Sequence, residues 1–183
     1  EETARRAKFI YINYPNNPTG AVATKAFYEK LVAWAKTYEV GVVSDLAYGA
    51  LGYQGYENPS FLSTPGAKDV GIEFYTFSKT FNMAGWRLAF AAGNDQMIEA
   101  LNLIQDHLFV GIFPALQEAG IAALLDPKSE EAVAQLNATY DSRRDAFVQA
   151  AAKIGWQAFP SRGSFYAWMP VPEGYTSESF ADL

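Results

Sequence analysis

Apolar and polar positions repeat at two different periods along this chain, and each change of period marks an element. Lys8 to Tyr14 is rich in aromatic and β-branched residues and predicts a buried strand, stopped by the turn-forming run Pro15-Asn16-Asn17-Pro18-Thr19-Gly20. Thr24 then stands where a helix N-cap belongs, and Phe27, Leu31, Trp34, Ala35 and Tyr38 recur at helical spacing until Gly41. Val42 to Asp45 predicts a second short strand. A Gly- and Pro-containing surface stretch runs from about Gly49 to Gly71, before a third strand over Glu73 to Ser78 and a fourth over Leu88 to Ala92. Asp95 opens another helix, with Ile98, Leu101, Ile104 and Leu108 along one side.

Strands that alternate with helices argue for an α/β sheet with helical crossovers. The pattern changes near Asp126-Pro127, where a domain transition is expected. From Ser129 to Ile154 the chain predicts one long helix, with Val133, Leu136, Tyr140, Phe147 and Ala151 apolar among charged neighbours. Two short strands are expected after it, near Trp156 to Phe159 and Phe165 to Met169. The first residues, Glu1-Glu2-Thr3-Ala4-Arg5, contain no initiator Met, and Phe180 to Leu183 read as the opening of a helix. The chain is therefore expected to be an internal piece of a longer protein.

Composition narrows the function classes. Half of the 183 residues are hydrophobic and 15% are aromatic, enough to pack a domain. The formal net charge of −6 lacks the basic footprint of a phosphate-backbone binder, so nucleic acid is not the expected partner. The absence of cysteine excludes a disulfide framework or a thiolate metal site, and a reducing cytoplasm is the simplest compartment. No apolar run has the length needed to span a bilayer, no short repeat is present, and no His/Asp/Glu grouping has metal spacing. Walker and dinucleotide fingerprints are also missing.

The candidate chemistry gathers at strand ends. Asn17 follows the first strand, Asp45 and Tyr48 the second, Ser78 and Lys79 the third, and Arg87 stands eight residues beyond Lys79. In α/β sheets ligands collect in the crevice outside those carboxyl ends. Each residue has a plain structural reading: a turn former, a cap, core filler, a turn hydroxyl, or a lysine reaching solvent. Their coincidence at one edge is harder to explain that way. An amine held among aromatic rings is disfavoured in its charged form and serves as the neutral nucleophile that forms a Schiff base with an aldehyde. Pyridoxal 5'-phosphate needs this whole set: a lysine for its aldehyde, a carboxylate for its pyridine nitrogen, donors for its ring oxygen, and a cation with a hydroxyl for its phosphate. Lys79, Asp45, Asn17 with Tyr48, and Arg87 with Ser78 fit those roles in turn. His107, the single histidine, sits on a predicted helix without partners for acid–base work and is read as a surface or packing residue.

Asn17-Pro18-Thr19-Gly20, Asp45-Leu46-Ala47-Tyr48 and Ser78-Lys79-Thr80 with Gly85-Trp86-Arg87 stand in an order and spacing that resembles the class I and II, fold-type I pyridoxal-phosphate aminotransferases. The resemblance covers essentially the whole chain. It implies a mixed, mainly parallel sheet with helices, with residues 1–127 part of the large cofactor-binding domain and 128–183 a linking helix plus part of a small α+β domain. It implies that Lys79 forms the Schiff base, Asp45 pairs with the pyridine nitrogen, Tyr48 and Asn17 hold the ring oxygen, and Ser78 and Arg87 hold the phosphate. A cis Asn17-Pro18 peptide is implied as well. Arg162 is not assigned the substrate-carboxylate role, because the family's arginine lies much further along. Ser164 and Phe165 border the substrate pocket in members of the family, although strand packing is the stronger reading for both. Within the family, Ser44 to Leu51, Thr76 to Arg87 and Pro170 to Tyr175 look closest to the methionine-salvage and LL-diaminopimelate branch.

The implied reaction is transamination between an amino acid and a 2-oxo acid, 4-methylthio-2-oxobutanoate being one acceptor, in a cytoplasmic homodimer. Two alternatives stand beside it: a carbon–sulfur β-lyase using the same cofactor, and an aminotransferase-like effector-binding domain of a transcription regulator. A family member also uses a phosphate loop and a carboxylate-binding arginine that this chain does not contain. The isolated chain is therefore expected to be inactive.

Overall fold

The computed structural model describes residues 2–183. A short helix, α1 (Glu2–Arg6), precedes β1 (Phe9–Asn13), which is followed by α2 (Lys25–Tyr38) and β2 (Gly41–Asp45). A 3₁₀ turn (Phe61–Ser63) and α3 (Ala67–Val70) lead into β3 (Gly71–Thr76). The chain then forms α4 (Phe77–Thr80), a second 3₁₀ turn (Ala84–Trp86) and β4 (Ala89–Gly93). Four more helices complete it: α5 (Asp95–Leu108), α6 (Pro114–Leu125), α7 (Ser129–Lys153) and α8 (Ser177–Ala181).

The four strands form one sheet in the order β1-β2-β3-β4, with β1, β2 and β3 parallel and β4 antiparallel to β3. This is the expected mixed, mainly parallel sheet. Helix α2 begins where Thr24 predicts, since the Thr24 hydroxyl accepts a hydrogen bond from the Phe27 N–H. Its buried face is Tyr28, Leu31, Val32 and Ala35, rotated from the expected stripe, and Phe27 is exposed. The shift follows from what lies beneath: Ile12, Val42, Phe61 and Ala67 are close-packed under that face. Each fully buried aliphatic or aromatic side chain contributes roughly 1.5–3 kcal/mol.

Glu73 is a buried carboxylate inside this apolar layer. It is satisfied by three donors: the Ser44 hydroxyl at 3.0 Å, the Ser60 hydroxyl at 2.5 Å and the Phe61 N–H at 2.8 Å. Ser44 and Glu73 are register partners on β2 and β3, so the carboxylate ties the 60–61 loop to two strands. At the other end of the sheet, Gly93 adopts φ 140° where a Cβ would fall 2.4 Å from the Gly71 carbonyl oxygen. Only glycine fits that approach.

Three expectations need correction. Strand β3 ends at Thr76, and Ser78 and Lys79 belong to the helical turn α4. Helix α6 was not anticipated: Gly111, Pro114 and Gly120 look like breakers, but Pro114 occupies the first turn, where its missing N–H costs nothing. Residues 156–159 and 165–169 are not strands, because they find no ladder partner among the described residues. The one β-bridge of this region among the described residues is Gly52 to Gly163, flanked by Tyr53 N–H to Arg162 C=O (3.1 Å) and Ser164 N–H to Leu51 C=O (3.2 Å). The long helix α7 matches its predicted span within a residue. Its Leu136 and Tyr140 pack on a second small core of Tyr48, Leu51 and Tyr53. The apolar side of α5 is not buried, and Met97, Leu101 and Ile104 instead line an open cleft with Phe9, Tyr11 and Phe74.

Replacing Glu73 with Ala should strand two hydroxyls and one N–H in the core and destabilise the fold by about 2–4 kcal/mol. The midpoint of denaturant unfolding measures it, and a change below about 0.5 kcal/mol would show that water replaces the carboxylate at no cost.

Candidate active site

Parallel register places Asn13 opposite Asp45 and Asp45 opposite Phe74, so β1 and β2 end in one row and β3 runs past it to Thr76. The loops leaving that row carry the polar residues. Asn13 organises two of them: its amide donates to the Asp45 carbonyl (3.1 Å), and its side-chain oxygen accepts from the Asn17 N–H (2.8 Å). Asn16 closes the same turn, its side-chain oxygen accepting from the Thr19 N–H (3.2 Å) and hydroxyl (2.7 Å). The Asn17-Pro18 peptide is cis, as is Tyr14-Pro15.

Asp45 is exposed, and one of its oxygens accepts from the Ala47 N–H at 3.0 Å. Its other oxygen faces outward without a protein donor among the described residues. Three residues on, Tyr48 is buried, with its hydroxyl 2.8 Å from the Tyr166 hydroxyl. Burial pushes the Tyr48 phenol well above its ordinary range; the Asp45 charge pushes the same way, and the Asn17 amide pulls against them. Tyr48 therefore stays a protonated donor throughout the neutral range.

Thr76 caps the turn α4, its hydroxyl accepting from the Ser78 N–H (3.2 Å) and lying 3.0 Å from the Ser78 hydroxyl. This turn directs Lys79 toward the second core. Its amine lies 5.9 Å from the centre of the Tyr48 ring and 5.2 Å from that of Phe165. Ring faces attract an ammonium, so the aromatic setting orients the amine. Phe165 in turn stacks on Tyr140 of α7 at 5.3 Å and meets Tyr48 edge-on at 5.3 Å.

Arg87 ends the second 3₁₀ turn with φ 52°, exposed, and its guanidinium donates to the Ala84 carbonyl at 3.0 Å. Among the described residues neither Lys79 nor Arg87 pairs with a carboxylate. An unpaired cation near an available carboxylate oxygen, a protonated phenol and a buried hydroxyl forms a donor set that fits pyridoxal phosphate.

The remaining sequence candidates lie apart from this set. His107 is exposed near the end of α5, and the Arg162 guanidinium lies over the Tyr56 ring at 5.7 Å. Ser164 is fully buried with φ 64°, bonded to Leu51, so it shapes the bend before Phe165 rather than facing Lys79. A cavity of about 230 Å³ lies behind Phe165 and Tyr166, lined also by Tyr53, Tyr140 and Arg144, and none of Asp45, Lys79 or Arg87 lines it. Among the described residues no group of acidic or histidine side chains is placed to hold a metal, and no helix is long and apolar enough to cross a membrane. Asn13, Tyr140 and Tyr166 escaped the sequence reading. Asn13 ends a strand as Asp45 does, which is the one signal that could have flagged it.

Residues 1–182 match the family described as aminotransferase class I and II, and the chain belongs to that family. It is 57% identical over 182 residues to the L-glutamine–4-(methylsulfanyl)-2-oxobutanoate aminotransferase of Bacillus subtilis, covering 100% of this chain and 45% of that protein. It is 49% identical to an LL-diaminopimelate aminotransferase of Moorella thermoacetica, again covering 100% of this chain and 46% of the relative. Among solved structures, substrate-bound BacF from B. subtilis superposes with a TM-score of 0.94 at 45% identity, over 99% of this chain and 46% of that one. An aminotransferase from Staphylococcus aureus gives 0.94 at 40% identity, over 100% of this chain and 48% of that one. The chain thus spans a little under half the length of the relatives it matches.

Asn13→Ala should free both loops at once. The Asn17 amide should exchange with solvent several-fold faster, and stability should drop by about 1 kcal/mol. Unchanged exchange at Asn17 would mean that the turn holds itself.

Proposed function

We propose that the protein to which this chain belongs is a pyridoxal-phosphate-dependent aminotransferase, with the cofactor held by Asn17, Asp45, Tyr48, Ser78, Lys79 and Arg87. The observation that carries this reading is the placement of the Lys79 amine over the Tyr48 and Phe165 rings, at the sheet edge where Asp45 also lies. When bound, pyridoxal phosphate supplies an electron sink for the negative charge left as a substrate α-carbon loses its proton. With the cofactor bound, Lys79 Nζ would take that proton and deliver it to the former aldehyde carbon, on the far side of the transferred nitrogen. The Asp45 carboxylate keeps the pyridine nitrogen protonated, Tyr48 and Asn17 donate to the ring oxygen, and Ser78 and Arg87 hold the phosphate by charge-assisted hydrogen bonds. Phe165, stacked on Tyr140, lies against one side of the amine.

Among amino donors and acceptors, L-glutamine and 4-methylthio-2-oxobutanoate are the pair we favour. The 57% identity to the B. subtilis relative of that name supports it, and the exposed edge of Phe165 suits a thioether side chain. Relatives named as aminotransferases favour transfer over β-elimination or effector sensing. Residues 1–127 belong in this reading to the large cofactor-binding domain and 128–183 to the link with a smaller one, within a cytoplasmic homodimer.

In the whole protein, Lys79→Ala should abolish the borohydride-reducible adduct with pyridoxal phosphate, and mass spectrometry should map the wild-type adduct to Lys79. An adduct on another lysine would remove the assignment. Asp45→Asn should keep the cofactor but slow α-proton removal by about 10²-fold or more in single-turnover spectra. A rate near wild type would count against its role.

A further inference from the structure

The hydroxyls of Tyr48 and Tyr166 lie 2.8 Å apart, their rings meeting edge to face at 5.6 Å and 76°. A phenol has one proton and two acceptor lone pairs. Were Tyr48 to give its proton to Tyr166, it would have none left for any other acceptor. The Asn17 amide, on the opposite loop, acts on the Tyr48 oxygen as a donor. With Tyr166 donating as well, the oxygen's two lone pairs are filled and its own O–H is left for a third direction, in a ring whose centre lies 5.9 Å from the Lys79 amine.

We propose that Tyr166 is a positioning residue of this site: its hydroxyl donates to the Tyr48 oxygen and so turns the single Tyr48 proton toward the cofactor's ring oxygen. The inference rests on the cofactor reading above. It adds a residue from beyond α7 to a set otherwise drawn from the sheet's carboxyl edge and the turn after β3, and it assigns a function to the one side-chain hydrogen bond that Tyr166 makes among the described residues. The groups facing the pair are Asp45 after β2, Lys79 on α4 and Tyr140 on α7. Of these, Asp45 and Lys79 carry charge. Phe165 at 5.0 Å and Tyr48 at 5.6 Å hold the Tyr166 ring, so removing its hydroxyl leaves the ring packing in place.

The test is Tyr166→Phe in the whole, cofactor-loaded protein, alone and combined with Tyr48→Phe. A donor to the ring oxygen stabilises its anionic form and makes the neighbouring imine nitrogen less basic. Misdirecting that donor should move the pH midpoint of the cofactor's visible absorbance change upward by about half to one unit, without substrate and with the thermal midpoint unchanged. In the Tyr48→Phe background the same substitution should add nothing, because there is no proton left to direct. A purely structural role for Tyr166 would lower the thermal midpoint and leave the pH midpoint in place, and an independent one would move the pH midpoint equally in both backgrounds. Either result overturns the proposal while leaving the cofactor reading intact. A protein that shows no cofactor absorbance at all would overturn both.

Discussion

Everything at this site depends on parallel pairing in register. Because β1, β2 and β3 run the same way, Asn13, Asp45 and Phe74 share a row, β1 and β2 stop there, and β3 runs on to Thr76. A slip of one residue would turn every side chain of a strand to the other face. Two polar devices guard against it from opposite sides of the sheet. Glu73 ties β2, β3 and the 60–61 loop within the apolar layer, and Asn13 ties β1 to β2 at the carboxyl edge. Neither is a large term singly, at roughly 0.5–3 kcal/mol, but both favour the same register.

The antiparallel return of β4 gives the site its second dimension. Instead of a long crossover, the chain turns within α4 and a 3₁₀ turn, and the Phe77 N–H reaches the Leu88 carbonyl at 3.1 Å to close the reversal. Lys79 and Arg87 sit on this compact excursion, separated in sequence but fixed to one strand pair. The lysine turns inward onto aromatic rings and the arginine outward to solvent. A long flexible connection would leave the spacing between amine and guanidinium unspecified, and catalysis that depends on orientation is sensitive to about an ångström.

Much of this was legible in the sequence, for a physical reason. Strands β1 and β2, helix α2 with its Thr24 cap, and helix α7 are set by local periodicity and capping, which act over a few residues. Asn17, Asp45 and Tyr48 could be put at the ends of the first two strands because a strand end is a local event, whereas Lys79 lies in the helical turn beyond its strand. Long-range pairings were not legible. Nothing near Glu73 announces that Ser44, Ser60 and the Phe61 N–H will converge on it, and nothing near Tyr166 announces Tyr48, 118 residues away. Residues 156–169 misled because an alternating apolar pattern reports a tendency to be half buried, whereas a strand also needs a neighbour to bond. Helix α6 was not assigned; its proline and glycine disfavour a helix by composition, but their effect depends on position within it.

The chain of rings from Tyr140 through Phe165 to Lys79 gears the long helix to the amine. Tyr140 is a rigid tooth on α7, stacked face to face on Phe165, and Phe165 bears directly on the lysine and on Tyr48. Packed aromatic surfaces have little slack. A rotation or slide of α7 about the sheet therefore cannot leave the lysine where it was: the helix works as a lever whose short arm ends at the nucleophile.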